Sequence, residues 1–149
     1  LGLGGTTSPV SSTEVALAIS LQAAEAAGAE TELFGSDRLM ALPHYRSDPA
    51  GLNQTGKDLV ELVRRADGIL ISSPGYHGTI SGLVKNAIDY IEETSTDGRT
   101  YLDGLPVGLP CAAGRHRWAL ESMHRVECSV RASARTKAST SSLKWLHSK

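Results

Sequence analysis

The chain has 149 residues, 40% of them apolar and 21% charged, with a net charge of -1. That composition supports a packed core of one-domain size and lacks the basic excess of a generic nucleic-acid or membrane-surface binder. No apolar run approaches the ~20 residues that span a bilayer, and Cys111 and Cys128 have neither redox-pair nor zinc-site spacing. No leader precedes the opening Leu-Gly-Leu-Gly-Gly, so the expectation is a protein of the reducing cytoplasm, free of membrane and nucleic acid.

Residues 1–4 read as a short strand, and residues 5–12 as a loop of Gly, Thr, Ser and Pro. Ser11 with Glu14 three positions on forms a capping-box pattern that starts a helix. Val15, Ala18, Ile19, Ala23 and Ala26 recur at helical spacing, and Gly28 is its stop signal. Residues 31–34 suit a second strand, and the turn-rich stretch 35–55 reads as loop. Leu59, Leu62, Val63 and Ala66 mark an amphipathic helix. The apolar run 68–72, bounded by Asp67 and Pro74, predicts a central strand buried on both faces. After the loop 73–81, Val84, Ala87, Ile88 and Ile91 mark another helix, and residues 106–112 a weaker fourth strand. Alternating strands and helices imply a parallel sheet with helices on both faces.

Beyond residue 114 the pattern decays. Trp118, Leu120, Met123 and Val126 can make a helix, and the basic, Ser-rich remainder carries no strand signal. The expected organisation is therefore a ligand-binding domain over 1–114 and an aberrant, basic segment over 115–149, partly helical or disordered.

Sheets of this kind bind ligands at the carboxyl ends of their strands. The first such loop offers the hydroxyls of Thr6, Thr7, Ser8, Ser11, Ser12 and Thr13 at a helix N-terminus, where free N–H groups favour a phosphate. It has no P-loop lysine and no dinucleotide glycine fingerprint, which suits a single monophosphate. The same residues serve equally well as loop filler and helix caps.

The second loop is more specific. The run SPGYHGTISGLVKNAIDY at 73–90 directly follows the third strand and opens a helix. It resembles the SPxYxGxxxGxxKNAIDY signature of the NADPH-dependent FMN reductase family. GTTSPVS at 5–11 is similar to that family's GSxRxxS phosphate loop, and DGRTYLDGLPVG at 97–108 to its run into the fourth strand. The resemblance covers residues 1–114. It implies a three-layer α/β/α, flavodoxin-like doubly wound sheet of order 2-1-3-4-5 with FMN at the β1/β3 switch point. It also implies NADPH or NADH as co-substrate, a small electron acceptor (flavin, quinone or azo compound) and a homodimer or homotetramer. By the resemblance Thr6, Ser8, Ser11 and Ser12 take phosphate-loop positions. Pro74, Gly75, Tyr76, His77 and Gly78 lie against the flavin ring, with Ser81, Gly82, Lys85 and Asn86 behind them and Gly114 in a third flavin loop.

Three departures stand out. Ser8 replaces the family's usual Arg, Val10 a common Gly, and Ala113-Gly114-Arg115 only partly matches an AGG-like run. The family's last strand and helix are not recognisable. The competing readings are an electron-transfer module without turnover and an inactive remnant. Residue by residue, His77 lacks a carboxylate partner at a telling spacing and reads as a ring-loop residue rather than a base. Tyr76 either stacks on the flavin or plugs the loop base. Lys85 and Asp89 read as a solvated i, i+4 pair, and Asn86 as a support that bonds backbone carbonyls.

Overall fold

The computed structural model describes residues 1–8, 11–48, 52–77 and 79–110. In chain order the elements are β1 (Gly2–Gly4), α1 (Ser12–Ala26), β2 (Leu33–Phe34), α2 (Ser36–Met40), α3 (Gln54–Arg65), β3 (Ile69–Ser72), β4 (Gly75–Tyr76), β5 (Thr79–Ile80), α4 (Gly82–Asp89) and β6 (Val107–Gly108). A 3₁₀ helix, Tyr90–Thr94, continues α4.

Four strands form one parallel sheet in the order β2-β1-β3-β6. Because the hairpin β4–β5 intervenes in the chain, β6 is the expected fourth strand, and the order is the expected 2-1-3-4. The fifth strand that the family order implies, and the segment 115–149, fall outside the described residues. Among the described residues the fourth strand pairs through Val107 and Gly108, and residues 111 and 112 of the expected 106–112 lie outside them. The β4–β5 hairpin lies inside what reads from sequence as plain loop.

β3 is central, between β1 and β6, with Ile69 and Ile71 each 1% exposed. Full burial of such a side chain contributes about 1.5–3 kcal/mol. Strand side chains alternate, so Leu3, Ile69 and Ile71 join Leu39 of α2, Leu59 and Val63 of α3, and Val84, Ala87 and Ile88 of α4 in one core. Gly2, Gly4, Leu70 and Ser72 point to the opposite face, over which α1 lies. Leu70 is only half-buried there, so β3 is sealed more completely on one face than on the other.

α1 corrects the sequence reading. Its buried stripe is Thr13, Leu17 and Leu21, whereas Val15 and Ile19 are 56% and 60% exposed. The helix sits on a floor of glycine: a Cβ at Gly2 would lie 2.7 Å from Leu21 Cδ1, and one at Gly4 only 2.2 Å from the Ser72 carbonyl oxygen. A narrow i, i+4, i+8 line of contact suffices on such a floor. The abundance of alanine in this helix leaves several apolar stripes available, and the periodicity alone chose the wrong one.

Residues 35–55, expected as loop, contain α2 and the start of α3. α2 is a single turn, held by burial of Leu39. The stretch running into β6 is fixed by Arg99, whose guanidinium donates to the carbonyls of Val63 (2.5 Å), Arg64 (3.0 Å) and Ala66 (2.7 Å) at the end of α3. A cation on the last carbonyls of a helix is also favoured by its dipole.

Candidate functional site

Two loops leave the carboxyl ends of the adjacent strands β1 and β3. The first, residues 5–11, turns at Gly5, whose φ of +152° suits glycine. Thr6 is 6% exposed and its hydroxyl accepts from the Ser8 amide at 3.0 Å. Ser11 is the N-cap of α1; its Oγ accepts from the Glu14 amide at 3.1 Å. Ser8 and Ser12 are exposed at the mouth of the loop. The loop thus runs into the N-terminus of α1, and helix N-termini offer donor chemistry suited to a phosphate.

The capping box is half formed. The Glu14 carboxylate does not return to Ser11. It reaches across to α2 and accepts from Ser36 Oγ at 2.5 Å, and Ser36 Oγ in turn accepts from the Thr6 amide at 3.1 Å.

The second loop is closed on itself by Ser73. Its hydroxyl accepts from the Ser81 amide at 2.9 Å, joining both ends of the loop, while Ser81 caps α4 through Val84 N–H. Between them Gly75–Tyr76 and Thr79–Ile80 pair as an antiparallel ribbon. Pro74 and Gly75 are half-buried, Tyr76 is 51% exposed, and His77 is exposed in the left-handed region at φ +52°. Tyr76 thus presents its ring to solvent as a stacking surface would. His77 occupies a turn position. Gly78 and Gly114 lie outside the described residues.

One hydroxyl ties the framework together. Ser72 Oγ, 1% exposed, lies 3.1 Å from the Thr13 carbonyl oxygen and 3.0 Å from that of Pro110, joining β3, α1 and the end of β6. Asn86 bonds a backbone carbonyl as expected, but in the stretch 43–45 rather than in the second loop. Its Nδ2 donates to the Pro43 carbonyl at 2.9 Å and its Oδ1 accepts from the Tyr45 amide at 2.8 Å. Tyr90 donates to the same Pro43 carbonyl at 3.0 Å. The Tyr45 hydroxyl bonds Glu93 at 2.9 Å, and burial together with that carboxylate pushes the phenol up to about 12. Lys85 and Asp89 form the expected exposed i, i+4 pair.

A cavity of about 1020 Å³ lies at the other end of the sheet, lined by Leu1, Leu21, Leu70, Pro106 and Val107 among others. It opens at the amino ends of the strands, away from both loops, whereas doubly wound sheets bind at the carboxyl ends. Among the described residues no group of His, Cys, Asp or Glu can hold a metal ion, and no helix is long and apolar enough to cross a membrane.

A family model described as NADPH-dependent FMN reductase matches residues 1–133. The chain belongs to this family. Among curated relatives of this FMN reductase family member, the NADPH azoreductase of Bacillus sp. (strain OY1-2) is 33% identical over 97 residues, 62% of this chain and 51% of that protein. The FMN-dependent NADPH-azoreductase of Staphylococcus aureus is 38% identical over 58 residues, 39% of this chain and 28% of that protein. The chain thus spans about half, or less, of the length of these relatives. In structure it is similar to the flavoenzyme NAD(P)H:(acceptor) oxidoreductase FerB from Paracoccus denitrificans. The TM-score is 0.70 at 21% identity, over 89% of this chain and 71% of that one. This likeness gives the flavodoxin-like fold.

The sequence pointed to both loops but not to Ser36, Glu14 or Ser72 as the residues that hold them. Their partners lie 22 to 59 positions away, beyond the reach of any local pattern.

Proposed function

We propose that this chain binds FMN across the two loops and serves an NAD(P)H-dependent oxidoreductase that reduces a small acceptor such as a flavin, a quinone or an azo compound. The observation that carries this is the convergence of a hydroxyl-rich helix N-terminus and a glycine-containing ribbon at the carboxyl ends of β1 and β3. The donor set fits the group. Thr6, Ser8, Ser11, Ser12 and the first-turn amides of α1 would hold the phosphate, with the dipole of α1 favouring the negative charge. Pro74, Gly75, Tyr76, His77 and Gly78 would lie along the ring, with Gly114 in a third loop.

Bound there, FMN would supply the redox chemistry, taking a hydride from the reduced nicotinamide and passing two electrons to the acceptor. The protein's own task is orientation. Ser73 holds the ribbon at fixed length, and Ser81 fixes the start of α4 behind it. Asn86 and Tyr90 brace the helix against residues 43–45. No acid–base pair is required of the chain, because the flavin would carry the electron chemistry. The names of the azoreductase relatives support the acceptor class, and the family resemblance extends the reading to a cytoplasmic homodimer or homotetramer.

The test is a visible spectrum of the purified chain with and without added FMN, followed by NADPH consumption. Flavin absorbance that survives gel filtration, with NADPH oxidised in the presence of a quinone or azo dye, is the expected result. Flavin retention without NADPH oxidation would favour an electron-transfer module. Failure to retain added FMN would refute the reading.

A further inference from the structure

The phosphate loop is not held by its own residues alone. The backbone passes from β1 through Gly5 directly against α2, where a Cβ at Gly5 would lie 2.5 Å from Ser36 Oγ. A second glycine, Gly35, leaves room for the incoming carboxylate: a Cβ there would lie 3.0 Å from Glu14 Oε1. Into this space runs the chain of bonds from the Thr6 amide to Ser36 Oγ and from Ser36 Oγ to Glu14 Oε2. The carboxylate is therefore fixed in the first turn of α1, two hydrogen bonds from an amide of the loop, on the same positive helix end that a phosphate would use.

Resting on the FMN reading above, we propose that Ser36 and Glu14 are positioning residues that set the affinity of this loop for a phosphate dianion, in opposite directions. Ser36 strengthens binding by holding the Thr6 amide and so shaping the loop. Glu14 anchors Ser36 but places a fixed negative charge beside the ligand, and so weakens it. Ser8 provides no cation to offset that charge, unlike the family's usual Arg.

The two contributions separate by substitution. Ser36→Ala removes the acceptor for the Thr6 amide but leaves the charge. Glu14→Gln keeps an oxygen that can accept from Ser36 and removes the charge. Riboflavin has the same ring as FMN and no phosphate, so the ratio of the two affinities isolates what the loop does. A purely structural role would change both together.

The experiment is to titrate FMN and riboflavin, by quenching of flavin fluorescence, into the full chain and into Ser36→Ala, Ser36→Thr and Glu14→Gln. Ser36→Ala is expected to raise the FMN dissociation constant about tenfold, to leave that of riboflavin within about twofold, and to be rescued by Ser36→Thr. Glu14→Gln is expected to lower the FMN constant about fivefold, the scale of one unit charge a few ångströms away in a wet site, and to leave riboflavin unchanged. Parallel changes for both ligands, or weaker FMN binding by Glu14→Gln, overturn the proposal while the FMN reading stands. An unsubstituted chain that binds FMN no tighter than riboflavin overturns the phosphate placement and the proposal with it.

Discussion

The two loops at the carboxyl end of the sheet are held in opposite ways. The ring loop is self-contained: Ser73 and Ser81 close it over eight residues, and a two-stranded ribbon fills the interval. The phosphate loop depends on distant elements. Its Thr6 amide hangs on Ser36 of α2, and Ser72 of β3 lies against the Thr13 carbonyl of α1. Local closure leaves a contiguous motif in the sequence, whereas distributed support leaves only a scatter of Ser and Thr. That contrast explains why residues 73–90 were diagnostic and residues 5–12 were not.

The most severe way to break both loops at once is at the floor they share. In Gly4→Val the new Cβ would fall 2.2 Å from the Ser72 carbonyl oxygen. That oxygen is backbone in the neighbouring strand and cannot swing away. Overpacking of this kind costs about 3 kcal/mol or more, so the thermal midpoint should drop steeply and flavin binding should vanish. A midpoint near that of the unsubstituted chain would show that β1 and β3 are not packed as described.

Ser8→Arg adds the missing cation to the phosphate loop alone. A hydrogen bond to a charged group contributes about 1.5–3 kcal/mol, so the FMN dissociation constant should fall roughly ten- to a hundredfold with riboflavin unaffected. Equal FMN affinity for both chains at matched salt would mean that the phosphate does not use this loop, or that another cation already serves it.

Ser73→Ala attacks the ring loop alone. It leaves the amide of the buried Ser81 without its acceptor, at a cost of about 1–3 kcal/mol. FMN and riboflavin should both bind more weakly, by similar factors, because the ring is common to both. A loss confined to FMN would contradict the division of labour between the loops.

Parts of this architecture were legible in the sequence for identifiable physical reasons. The apolar run around Ile69 and Ile71 announces a doubly flanked strand because no solvent-facing residue interrupts it. Asn86 reads as a loop support because an amide on the inner side of a helix must find partners, although Pro43 and Tyr45 could not be named. α2 was missed because a five-residue helix has almost no intrinsic stability; tertiary packing of Leu39 makes it, between breakers that read as loop. The apolar stripe of α1 was misassigned because alanine gives little contrast and its partner surface is glycine.

The smallest effect expected lies beneath the ring loop, at Tyr45. Its phenol ordinarily titrates at 10 and here is pushed up to about 12 by burial and by Glu93. The raised value means that the neutral phenol is the form favoured by the fold. The stabilisation is fully present below pH 10 and is lost as pH rises from there toward about 12. Tyr45→Phe should therefore flatten the fall of stability over that window, leaving the share due to Tyr90, whose phenol is also raised by burial. Urea midpoints measured at intervals across the window check this, and superimposable curves for the two chains would disprove it.

The central claim is that FMN sits across the carboxyl ends of β1 and β3 with its phosphate in the first loop. Amide chemical shifts of the labelled chain, recorded on addition of FMN and separately of riboflavin, test it most directly. Both ligands should move the amides of Gly75, Tyr76 and Ser81, and FMN alone should move those of Thr6, Ser8, Ser11 and Ser12. Shifts centred instead on Leu21, Leu70 and Val107, around the cavity at the opposite end of the sheet, would contradict the account.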